Sequence, residues 1–150
     1  MGRLLPDEPT IADLGCGPGL FLRDLSERHS GSHLYGFDLP PAMIEHAQRL
    51  RLRETPPIFS VHNVEQRLLP LDADSVDLVS MVRVMQFLDD PFAALAEVRQ
   101  VLRPRGLFLL DDWVRMPLAQ YVQTRPRDSN EALAYQRSRW LRMFPIHNKY

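Results

Sequence analysis

Ile11-Ala12-Asp13-Leu14-Gly15-Cys16-Gly17-Pro18-Gly19 runs from apolar residues through a carboxylate into three alternating glycines. Directly behind it, Leu20-Phe21-Leu22-Arg23-Asp24-Leu25 spaces its apolar positions as a helix does. The pair reads as strand, tight turn and helix N-terminus, the unit with which open α/β sheets hold a nucleotide-like ligand. Glycine gives the turn its backbone freedom and lets a ligand lie against the main chain. The helix that follows offers unpaired N–H groups and a partial positive charge. The spacing departs from the dinucleotide fingerprint G-x-G-x-x-G, which needs glycine or alanine at position 20, where this chain has Leu20. Asp13 at the strand tip would repel a pyrophosphate and suits a ligand that carries a cation. A nicotinamide-dependent oxidoreductase is therefore disfavoured.

Working outward, the chain alternates strands with helices. Thr10 to Leu14 is the first strand, with a helix from Gly19 to His29 that Ser30-Gly31-Ser32 ends. His33 to Asp38 is the second strand. A helix over 41–53, opened by Pro40-Pro41, buries Met43, Ile44, Ala47 and Leu50. Ile58 to Val64 is the third strand and Ser75 to Val82 the fourth. Asp90-Pro91 caps a helix from Phe92 to Leu102, and Arg103-Pro104-Arg105-Gly106 stops it. Leu107 to Leu110 is a short apolar fifth strand of the kind a parallel sheet covers on both faces. This alternation predicts βαβ units with right-handed crossovers.

One hundred and fifty residues with 45% hydrophobic and 25% charged content suit a single soluble domain. No apolar run approaches the ~20 residues that cross a bilayer, and no signal peptide is visible, so no membrane role is expected. Cys16 is the single cysteine. It permits no intrachain disulfide, which fits a reducing, cytoplasmic setting. Charge is uneven: residues 113–150 hold seven basic and two acidic side chains, a net +5, which leaves −6 on residues 1–112. A basic tail can bind nucleic acid, but such runs are more commonly solvated helix faces, here one suited to the chain's own acidic body.

Asp13-Leu14-Gly15-Cys16-Gly17-Pro18-Gly19 resembles motif I of the class I S-adenosylmethionine-dependent methyltransferases, and further matches follow in family order over about residues 10–112. The resemblance implies an α/β, three-layer Rossmann-like methyltransferase fold: a mostly parallel sheet of about five strands, here with a helical C-terminal tail. It implies S-adenosylmethionine as cofactor, with S-adenosylhomocysteine as product. Asp13 would hold the cofactor's amino-acid end, and Gly15, Cys16, Gly17 and Gly19 would form the bend beneath it. Asp38, about 20 residues beyond the bend, can accept both ribose hydroxyls, or it can cap the next helix. Leu39 and Met43 would wall the adenine. Asn63 stands where the family often has an aspartate that accepts from the adenine amino group, with the Val64 N–H meeting the ring. Its carbonyl accepts the same bond without charge, though a turn asparagine at a strand end is an equal reading. Met81 and Arg83 would face the methionine portion and the substrate.

Two departures bear on activity. Val84-Met85-Gln86-Phe87-Leu88-Asp89-Asp90-Pro91 resembles a family segment that commonly reads V-L-H-H-L-x-D-P, with Gln86 and Phe87 in place of its histidines. No catalytic base is identifiable. Asp111-Asp112 is too weak a pattern for a metal, and none is expected. The N/D-P-P-Y/F/W motif of nucleic-acid amino-methyltransferases is missing, so nucleic acid is an improbable substrate. The expected organisation is a cofactor-binding domain over 1–112 and a basic helical tail over 113–150. In the tail, Asp128 and Glu131 form a capping box ahead of a stripe of Leu133, Trp140, Leu141 and Phe144. The exposed edge at the fifth strand calls for a cover, either the 129–144 helix or a second chain, hence a homo-oligomer or partner subunit. The activity expected is methyl transfer to a small-molecule acceptor. The alternative is a non-catalytic methyltransferase-like subunit.

Overall fold

The computed structural model describes residues 4–50, 56–66 and 69–112. The readings made above for residues 113–150 lie outside the described residues.

β1 (Thr10–Leu14) is buried along almost its whole length, and its alternation decides the layering. Ile11 faces one apolar cluster with Leu34 and Phe59, and Ala12 and Leu14 face another with Val79 and Met81. α1 (Leu20–Arg28) and α2 (Pro41–Gln48) cover the first face through Leu22, Ile44 and Ala47. α3 (Pro91–Val101) covers the second through Ala94, Val98 and Val101. Between them lie β2 (His33–Asp38), β3 (Ile58–Val61), β4 (Val76–Val82) and β5 (Leu102–Asp111). All pair in parallel, in the order β3-β2-β1-β4-β5. The chain thus adopts the three-layer Rossmann-like fold, whose sheet reverses direction of winding at β1 and β4. Ligands of such sheets sit at the carboxyl ends of the strands beside that reversal.

Three boundaries differ clearly from those read in the sequence. α2 stops at Gln48, short of the 41–53 expected; residues 51–55 are outside the described set. β3 ends at Val61, so His62, Asn63 and Val64 form a turn rather than a strand end. β5 begins at Leu102, with no loop after α3. The stop signal Arg103-Pro104-Arg105-Gly106 is real but bulges out within the strand: Val76 pairs with Leu102, and Leu78 already with Leu107. Arg105 takes φ 67°, and a Cβ on Gly106 would lie 3.0 Å from the Arg103 carbonyl oxygen. Opposite this bulge, Asp77 ties three strands together. Its carboxylate accepts from Thr10 N (2.8 Å) and from Arg103 Nη1 (2.7 Å). Asp77→Ala leaves the Thr10 N–H without its partner and is expected to cost about 2 kcal/mol. Urea unfolding should show the midpoint falling with the slope unchanged.

The cap of α3 matches the reading. Asp90 Oδ1 accepts from Phe92 N and Ala93 N, both at 3.1 Å. β5 is the outermost described strand on its side, and Leu107 to Leu110 are only half-buried.

Candidate functional site

The glycine bend is held from below. Gly15 N and Cys16 N both donate to the Phe37 carbonyl oxygen, at 2.7 and 3.0 Å, which locks the end of β1 to the end of β2. Gly15, Gly17 and Gly19 all take positive φ (77°, 54° and 78°), where a Cβ is strained. Two of the three also lack room for one. At Gly15 it would overlap the Val84 side chain, and at Gly19 it would lie 2.8 Å from Phe59 Cζ and 2.9 Å from Ala47 Cβ. Gly19 therefore seats α1 against α2 and β3.

Asp38 settles between its two readings. It does not cap α2, whose N-cap is Pro40 with no side-chain bond. Its Oδ2 instead accepts from Gly17 N at 2.6 Å. That bond couples the carboxylate at the tip of β2 to the bend after β1. Both flank a cavity of about 360 Å³, within the range that takes a small ligand. Gly15, Asp38, Leu39, Asn63, Val64 and Arg83 all line it, so the fold brings together six of the residues expected from the sequence.

The others lie elsewhere, for reasons of side-chain parity and packing. Asp13 is 4% exposed, on the opposite face of β1 from Leu14, where its Oδ1 accepts from Ser80 Oγ at 2.7 Å. Burial pushes its carboxyl up to about 6, the Ser80 bond opposes the rise, and the Asp38 charge adds to it. Asp13 is thus a buried group beneath the bend rather than part of the cavity wall. Cys16 is buried, with a thiol pushed up to about 12 chiefly by burial, so it stays protonated and unreactive. Met81 is fully buried because it shares the α3 face of β4 with Val79. Met43 sits half-exposed on α2, off the cavity wall.

Asn63 reaches the cavity but already serves the turn, its Oδ1 accepting from Glu65 N at 3.0 Å. A carbonyl oxygen has a second lone pair, so a ligand donor can still be met. Arg83 takes φ 59° and donates its backbone N–H to the Asp111 carbonyl oxygen at 2.6 Å. Left-handed geometry at a non-glycine residue costs energy and concentrates at working sites. The wall also holds residues not assigned to the site from the sequence, among them His62, Val84 and Phe87. Phe87, 78% exposed, occupies a short 3₁₀ turn over Met85–Phe87. Its partner in the altered motif, Gln86, turns to the backbone instead, with Nε2 donating to the Arg83 carbonyl oxygen at 3.4 Å.

Among the described residues no three His, Cys, Asp or Glu side chains converge as a metal site would need, and no helix is long and apolar enough to cross a membrane.

A parallel sheet with a glycine bend after β1 and a carboxylate closing β2 defines the Rossmann-like nucleoside-binding class. Comparison with known proteins makes the assignment specific. Residues 12–110 match the methyltransferase domain family. The chain belongs to that family. It is similar to an uncharacterised 37.1 kDa transposon protein of Streptomyces fradiae, 40% identical over 111 residues that make up 72% of this chain and 31% of that one. It is also similar to a malonyl-[acyl-carrier protein] O-methyltransferase of Hahella chejuensis, 35% identical over 75% of this chain and 39% of the relative. Among solved structures it resembles the complex of the Haloferax volcanii Trm112 methyltransferase activator with a methyltransferase: TM-score 0.62, 31% identity, covering 69% of this chain and 45% of that one. The chain therefore spans between about a third and a half of the length of these proteins.

Proposed function

We propose that residues 1–112 form the S-adenosylmethionine-binding part of a methyltransferase that acts on a small-molecule acceptor, with an oxygen atom as nucleophile. The observation that carries the reading is the Asp38 carboxylate, fixed by Gly17 N at the lip of the cavity. An acidic oxygen held at that strand tip is placed to accept the two ribose hydroxyls. Leu39 and Val64 supply the apolar walls for a purine, and Gly15 lets the ligand approach the main chain. The names of the similar proteins support the acceptor class: the Hahella relative methylates malonyl-[acyl-carrier protein] on oxygen, and another relative, from Azoarcus, is a trans-aconitate 2-methyltransferase, 33% identical over 106 residues.

The cofactor's sulfonium supplies the activation. The residues of the chain then need only bind, align and keep water out. Phe87 and Leu88 also line the cavity and would give an acceptor an apolar contact. Arg83 also lines the cavity. A partner chain that covers the β5 edge is part of the same proposal. A partner is supported by the Haloferax methyltransferase, which was solved with an activator protein. The lone buried cysteine accords with a reducing compartment such as the cytoplasm.

Calorimetry on the full chain tests the reading. S-adenosylhomocysteine is expected to bind at micromolar Kd, about −8 kcal/mol, with no heat from NAD. Silence toward both S-adenosylmethionine and S-adenosylhomocysteine would instead favour the non-catalytic subunit.

A further inference from the structure

His62 stands on the cavity wall between the two residues expected to grip the nucleoside. Its backbone N–H donates to the Asp38 carbonyl oxygen at 2.9 Å, and Asn63 follows it in the turn. The imidazole is braced from behind: it meets the Phe37 ring edge-to-face, with centroids 5.9 Å apart and planes at 69°. Phe37 is itself fully packed in the core on the α3 side of the sheet. The ring is thus held in place by neighbours that cannot hydrogen-bond to it. Its Nε2 is buried and has no hydrogen-bond partner. Among the described residues the other buried side-chain atom in that state is Ser32 Oγ, which does not line the cavity.

An orphaned buried nitrogen carries the full desolvation cost of a polar group and needs a reason to be there. Ser32 lies before β2, remote from the strand tips, so it offers no parallel. At His62 the reason is adjacent. Resting on the proposed cofactor reading, we infer that His62 Nε2 makes its hydrogen bond to the adenosine portion of the bound cofactor, so that His62 helps to select the nucleoside. Neutral imidazole suits the task with either proton placement, since Nε2 then presents either an N–H or a lone pair, and adenosine offers acceptors and donors on its base and ribose. The bracing by Phe37 means that little rotamer freedom is lost on binding.

The test combines one variant with one measurement on the wild-type chain. His62→Phe keeps a ring against Phe37 and deletes Nε2. Its affinities for S-adenosylhomocysteine and for 5′-methylthioadenosine, which lacks the amino-acid end, should both fall about tenfold by calorimetry. The ligand-free variant should at the same time melt about 2–4 °C higher, because the orphan is gone. In the wild-type chain labelled with ¹⁵N-histidine, the His62 Nε2 resonance should move when either ligand is added. Wild-type binding with His62→Phe within twofold for both ligands, or a stationary Nε2 resonance at saturation, overturns this inference while leaving the cofactor reading intact. Failure of the wild type to bind either ligand overturns both. If His62→Phe does not fold, the wild-type resonance decides alone.

Discussion

Asp38→Ala is expected to weaken S-adenosylhomocysteine binding by at least about a hundredfold, some 2.7 kcal/mol. A carboxylate that accepts from a neutral donor contributes about 1.5–3 kcal/mol per bond, so under the proposed function two ribose hydroxyls on Asp38 would be the largest polar term at the site. The same side chain has a second duty, because its Oδ2 anchors Gly17 N at 2.6 Å. Truncation therefore frees the bend as well as the ribose. The two contributions separate with 2′-deoxy-5′-methylthioadenosine. The wild type should prefer 5′-methylthioadenosine to its 2′-deoxy form by about tenfold or more, and Asp38→Ala should bind both about equally. An Asp38→Ala chain that keeps the wild-type preference would remove Asp38 from the ribose and leave it a purely structural residue of the bend.

How far the site could be read in advance depended on whether local chemistry or sheet geometry decided each residue. The bend and Asp38 were legible because their signals are local: three alternating glycines between an apolar run and a helical pattern, then an acid at the end of the next strand. The choice between helix cap and site was not, since it turned on whether α2 began early enough for Asp38 to reach it. Pro40 takes the N-cap place, and Asp38 is left to Gly17. Met81 and Asp13 were assigned by motif position when parity governs them. In β4, Val79 and Met81 point to the α3 layer, and Ser80 points to the other face, where it meets Asp13. Counting alternate positions back from the buried Val79 would have placed Met81 in the core. Nothing in the sequence around His62 marks it as a wall residue. Its place on the wall comes from β3 ending at Val61 and from the parallel register that sets Val61 beside Asp38, neither of which composition reveals. The 103–106 bulge was read correctly as a break in regular structure. It was misplaced as a stop between α3 and the fifth strand because sequence cannot show that β5 already pairs with Val76 at Leu102.

Asp13→Asn is expected to stabilise the ligand-free chain by about 2 kcal/mol at pH 8 and to give no gain at pH 4. The Asp13 carboxyl is raised from 3.8 to about 6, first by burial and then by the nearby Asp38 charge, against the lowering effect of Ser80. An acid raised on folding holds its proton in the folded chain at pH values where the unfolded chain has released it. Stability therefore declines as pH rises from about 4 through 6, and the whole penalty, about 3 kcal/mol, persists above 6. Asparagine removes the charge, and its carbonyl can still accept from Ser80 Oγ. Its buried amide N–H₂ offsets part of the gain, which is why the net is about 2 kcal/mol rather than 3. Urea unfolding at the two pH values measures the crossover, and an equal effect at both would mean that Asp13 ionises normally in the folded chain. The Asp13 carboxylate beneath the bend also prepares the site for a cation, and S-adenosylmethionine brings an ammonium and a sulfonium. At an effective dielectric near 20, a unit charge is worth on the order of 1.4 kcal/mol, or tenfold in affinity, to a cation roughly 12 Å away. Asp13→Asn should therefore bind S-adenosylmethionine about tenfold more weakly than wild type at pH 8, and nearly as well at pH 5, where Asp13 is already protonated. The buried acid is then a stability cost that the fold bears so that a cationic nucleoside meets a site of the right sign.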